Sequence, residues 1–106
     1  MKNLFKFFSE DGFLVDYRFW NEQIAKTFAL KEDIYLTPDH WKFIYLFKSY
    51  YDINSEIPKI RFLLKEAKKK HGSHMGSSLY LQTLFPKSPM LQLSRISGFP
   101  KPVFCV

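Results

Sequence analysis

Apolar residues recur along most of this chain at helical spacing. From Pro58 to about Lys70, Ile60, Leu63, Leu64 and Ala67 form the i, i+3, i+4, i+7 stripe of a buried helix face. Arg61, Lys65 and Lys68 form a second, basic stripe at the same spacing, which Lys69 and Lys70 extend where positive charge complements the helix dipole. Upstream, Trp20, Ile24 and Phe28 stand four apart and predict a helix over 19–29, with Asp16 as its cap. Thr37-Pro38-Asp39-His40 is the clearest helix start, with Thr37 as N-cap and Pro38 at the first helical position. That helix runs to about Tyr51. Trp41, Phe43, Ile44, Tyr45, Leu46 and Phe47 make it apolar on nearly every side, which places it at the centre of the domain. His40, just inside its start, reads as a hydrogen-bonded packing residue rather than a general base.

Two stretches depart from helical spacing. Residues 2–16 read as a short β meander, in which Leu4, Phe5, Phe7 and Phe8, then a Glu10-Asp11-Gly12 turn, then Phe13-Leu14-Val15 need a helical layer to cover them. His71 to Gly76 reads as a loop. Beyond it, Ser77 or Ser78 starts a short helix through Leu84, Pro86 and Pro89 bracket a turn, and Met90 to Ser97 forms a last helix containing Arg95 and stopped by Gly98. The expected class is α+β, a single domain over 1–97 followed by a C-terminal arm over 98–106.

Composition narrows the function. The 106 residues are 46% hydrophobic and 19% aromatic, which suits one packed domain and excludes a disordered chain. The single cysteine cannot form an internal disulfide. Neither a signal peptide nor an apolar run long enough to span a bilayer is present, so the reducing cytoplasm is the expected compartment. The formal charge of +6 favours nucleic acid or an acidic protein surface as partner. Two helices joined by Asp52 to Ile57, the second one basic, also fit a helix-turn-helix that binds nucleic acid without being an enzyme. His71, His74 and Cys105 are too sparse for a metal site, and neither a phosphate loop nor a paired carboxylate appears, so no metal or cofactor is expected.

Cys105 remains as the strong nucleophile. It ends the segment Gly98-Phe99-Pro100-Lys101-Pro102-Val103-Phe104-Cys105-Val106, where two prolines fix φ and push Phe99 and Lys101 towards extended conformations. Fully extended, seven steps at about 3.1 Å each carry the sulfur roughly 20 Å from the body. Such a thiol is either a survivor in a frayed terminus or one presented to another protein. In the second case a persulfide on Cys105 would pass its outer sulfur to an attacking thiolate without any cofactor.

Leu36-Thr37-Pro38-Asp39-His40-Trp41, Ile57-Pro58-Lys59-Ile60-Arg61, Tyr80-Leu81-Gln82-Thr83-Leu84-Phe85-Pro86 and the terminal Gly98-to-Val106 segment together resemble the TusE/DsrC family of sulfur-carrier proteins, from about residue 10 to the end. The resemblance implies a short three-stranded antiparallel meander packed on an array of about five helices, and a mobile arm with Cys105 as its sulfur-accepting residue. DsrC-type members carry a second cysteine eleven residues upstream of the first, where this chain has Ser94. That departure disfavours a role in dissimilatory sulfur metabolism. The single-cysteine pattern is similar to the TusE type, which implies a sulfurtransferase taking sulfur from a TusBCD-type complex and delivering it to an MnmA-type thiouridylase, for 2-thiolation of the wobble uridine of tRNA. Whether tRNA touches the carrier itself stays open. Ser88 and Met90-Leu91 depart from the family pattern, while Arg61 and Lys101 keep to it. Arg61, Lys65, Lys68, Arg95 and Lys101 are the candidate docking residues.

Overall fold

A computed structural model describes residues 19–99 and shows a helical array. Its elements are α1 (Glu22–Lys31), α2 (Pro38–Asn54), α3 (Ile60–His71), a 3₁₀ turn (Ser73–Gly76), α4 (Ser78–Leu84) and α5 (Pro89–Ile96). The α+β class is corrected for the described residues: they contain no strand, and the core closes helix on helix. Phe28, Phe43, Phe47, Leu63, Leu81, Leu93 and Phe99, from all five helices and the chain after α5, meet in one cluster. The meander was placed on residues 2–16, which lie outside the described residues.

Local chemistry explains the helix boundaries. The first helix begins at Glu22 rather than Phe19, because the Asn21 side chain accepts the Ile24 N–H at 2.9 Å and so caps it there. Trp20 consequently sits outside the helix. α1 ends in a Schellman turn, with Ile34 N–H donating to Ala29 O and Asp33 N–H to Leu30 O, and with Asp33 at φ 62°. α2 starts at Pro38 as expected, and Thr37 N–H donates to Nδ1 of His40 at 3.0 Å. The other ring nitrogen of His40 lies 2.8 Å from Leu84 O. A carbonyl can only accept, so Nε2 carries the proton and Nδ1 is the acceptor. Burial pushes the His40 pKa down, opposed in part by the bond to Leu84.

The remaining contacts lock the N-terminal end of α2 to its neighbours. Asp39 accepts from the Tyr80 hydroxyl of α4, which is the main reason its carboxyl titrates below the usual range, and Lys42 lies 3.3 Å away. α3 begins two residues after Pro58, with Lys59 in the N-cap position. The stretch after it is not a loop throughout: Met75 in the 3₁₀ turn is fully buried, and Gly76 lies so close to the stem of Lys68 that an added Cβ would come within 2.7 Å of it. Ser77 caps α4 by accepting Tyr80 N–H. Among the described residues no helix is long and apolar enough to cross a membrane.

Candidate functional site at the root of the C-terminal segment

Cys105 and Lys101 lie outside the described residues, so the structure bears on the arm through the place where it leaves the body. α5 ends in a second Schellman turn, in which Phe99 N–H donates to Ser94 O at 2.9 Å and Gly98 N–H to Arg95 O at 3.2 Å. Gly98 has φ 81°, and a Cβ at this position would come within 2.6 Å of Trp20 Cδ1. Only glycine fits both the backbone and the space. The indole N–H of Trp20 donates to Ile96 O at 2.7 Å, so the residue before α1 seals the end of α5.

Phe99 is fully buried and is the last described residue. Its ring stacks on Tyr51 at 4.2 Å between centroids and on Phe47 at 5.7 Å, both from α2. Gly98 and Phe99, the first two residues of the arm read from sequence, are therefore held in the body. Lys48 completes the root: its ammonium lies 3.9 Å from the Trp20 ring centroid and 4.7 Å from that of Phe99, and donates to Ser97 O at 3.3 Å. Burial lowers its pKa, and the nearby Asp52 carboxylate works in the opposite direction. Ser94 and Ser97 are fully buried beside this turn, and neither hydroxyl has a hydrogen-bond partner among the described residues.

The structure separates the candidate docking residues. Arg61, Lys65 and Lys68 are exposed on the outer face of α3. Arg95 is instead partly covered and donates to Glu32 at 3.2 Å, while Glu32 also accepts from Nε2 of Gln92 at 2.9 Å. Gln92 in turn accepts the N–H groups of Lys87 and Ser88 at the start of α5, so this network ties α5 to the end of α1. The apolar groove between α2 and α3, lined by Leu46, Tyr50, Ile53, Pro58, Phe62 and Leu63, shares no residue with the arm root. Sequence reasoning missed Trp20 and Lys48 as root residues. The signal available for Trp20 was Asn21, a strong cap that starts the helix after Trp20; Lys48 gave none, being one lysine in a helix read as apolar on nearly every side.

The sequence model of the family described as "DsrC like protein" matches residues 6–106. The chain is 40% identical over 97 residues to a Haemophilus influenzae protein named "Sulfurtransferase TusE homolog", covering 92% of this chain and 89% of that one. It is 44% identical over 88 residues to "Sulfurtransferase TusE" of Buchnera aphidicola subsp. Baizongia pistaciae, covering 82% and 94%. Among solved structures it resembles DsrC of Allochromatium vinosum with a TM-score of 0.83 at 36% identity, covering 93% of this chain and 88% of that one. It also resembles the oxidized gamma-subunit of the dissimilatory sulfite reductase from Archaeoglobus fulgidus, with a TM-score of 0.81 at 36% identity over 92% and 90% of the two chains.

Proposed function

The chain belongs to the family of DsrC-like proteins, and from that membership we propose that it carries sulfur as a persulfide on Cys105. Relatives named sulfurtransferase, at about 40% identity over most of the chain, support sulfur transfer in general. The cysteine count carries the finer reading: Cys105 is the single thiol, and position 94 holds a buried serine where the DsrC-type pattern has a second cysteine. A chain with one thiol cannot retire its sulfur into an internal disulfide, so its chemical partner is on another protein.

In the proposed cycle the Cys105 thiolate attacks the outer sulfur of a donor persulfide. The donor's sulfur–sulfur bond breaks, its electron pair leaves on the donor thiolate, and Cys105 becomes the persulfide with no net oxidation. An acceptor thiolate then takes the outer sulfur by the same exchange. The donor is a TusBCD-type complex and the acceptor an MnmA-type thiouridylase acting on the wobble uridine of tRNA, in the cytoplasm, where thiols stay reduced. Arg61, Lys65 and Lys68, a stripe about 10 Å long on α3, offer an acidic partner surface a docking face, and Lys101 adds charge on the arm itself.

The relay is tested by loading the protein with sulfur, removing the donor, and adding an MnmA-type enzyme with unmodified tRNA. Digested nucleosides are then assayed for 2-thiouridine. Thiouridine is expected with the wild type and not with Cys105→Ser. Equal yields from the two, or an equal yield with the carrier left out, would overturn the relay.

A further inference from the structure

Lys48 is a costly residue for its position. Its ammonium, on a half-buried side chain, is flanked by two aromatic rings and a backbone carbonyl, and an apolar side chain would fill the same slot without partly desolvating a charge. The ammonium supplies direction instead. It donates to Ser97 O, the carbonyl at which α5 ends, while touching a ring from before α1 (Trp20) and a ring from after α5 (Phe99). Asp52 on the same helix is the carboxylate that favours its charged form.

We propose that Lys48 is a positioning residue for the sulfur-bearing segment, clamping the turn at Ser97–Phe99 so that the chain leaves the body in one direction and presents Cys105 to one side. The leverage is large. For an extended segment of six residues at about 3.1 Å each, a rotation of about 30° at the root moves the far end by about 10 Å. By residue type Pro100 and Pro102 each restrict φ beyond the root, which favours carrying a direction set at its base. A misplacement of that size separates a thiolate from the outer sulfur it must attack, because such attack needs near-contact geometry.

This proposal rests on Cys105 as the sulfur carrier, but its test uses no sulfur. A nitroxide is attached to Cys105, the single thiol, in the full chain, and the broadening of backbone amide signals maps where the label dwells. The expected wild-type footprint is confined to one side of the molecule. In Lys48→Met, and in Lys48→Gln as a second uncharged variant, the footprint spreads over the surface and its strongest broadening falls at least twofold, whereas Lys48→Arg keeps it confined. Thermal melts identify any variant that fails to fold. In parallel, alkylation of Cys105 by iodoacetamide proceeds at the wild-type rate in the folded variants, while sulfur uptake from a persulfide-loaded protein donor falls about tenfold. A wild-type footprint already spread over the surface, or identical footprints for wild type and the uncharged variants, would overturn the proposal. A wild type that takes up no sulfur would overturn the carrier reading while the footprints still decided the role of Lys48.

Discussion

His40 joins two parts of the molecule through one neutral ring: it accepts from the backbone where α2 begins and donates to the carbonyl of Leu84 where α4 ends. Its edge also packs on Phe85, at 5.1 Å between ring centroids. Protonation would turn the acceptor nitrogen into a donor facing another N–H. Because burial sets the folded pKa below the ordinary 6.5, the unfolded chain binds more protons as pH falls from about 6.5 towards the folded value. Stability from this residue is complete above about pH 6.5 and is lost through that window. His40→Gln, which keeps a capping acceptor without titrating, is expected to flatten the acid-side fall in the denaturant midpoint. A variant as steep as the wild type between pH 7 and 5 would contradict this. The packing role of His40 was legible in the sequence because Thr37-Pro38-Asp39 fixes the start of the helix and so fixes His40 at its third position. Lys48 was not, because nothing local distinguishes a lysine beneath a distant chain segment from a solvated one.

The helices are bounded by caps and stops, and these boundaries were the most legible part of the fold. Pro38, Ser77 and Gly98 each mark a boundary through a backbone requirement visible in the residue type. The errors arose where two signals competed. Asn21 outweighed the spacing that drew Trp20 into α1, and burial of Met75 organised a glycine-flanked stretch that read as a loop. The stop of α2 carries no such residue: Ser55 closes it in the left-handed region at φ 56°, with its N–H donating to Tyr51 O at 2.8 Å. A side chain at this conformation costs energy that glycine does not incur, so Ser55→Gly is expected to stabilise the protein by about 0.5–1 kcal/mol, after the extra entropy glycine loses on folding. A rise in melting temperature checks this. A fall would mean that the serine hydroxyl contributes more than the backbone strain costs.

At the scale of the whole molecule, a helical body holds one end of a short segment that carries the only thiol. The class read from sequence, α+β, gave way among the described residues to helices packed directly on one another: Phe43, Ile44 and Phe47 of α2 are buried in one cluster with Phe28 of α1, Leu63 of α3, Leu81 of α4 and Leu93 of α5. The charge of +6 is unevenly spread, with the exposed stripe of α3 as one concentration. Arg95, by contrast, is tied to Glu32 inside the fold, a pairing invisible in sequence because 63 positions separate the two. Cys105 is proposed as the reactive residue from its position, the prolines before it and its singularity in the sequence, whereas the root at Ser97–Phe99 became visible only in three dimensions. The most direct measurement is the intact mass of the protein after incubation with a persulfide-loaded donor. The prediction is one added sulfur atom on the wild type and none on Cys105→Ser, and sulfur on both alike, or on neither, would contradict it.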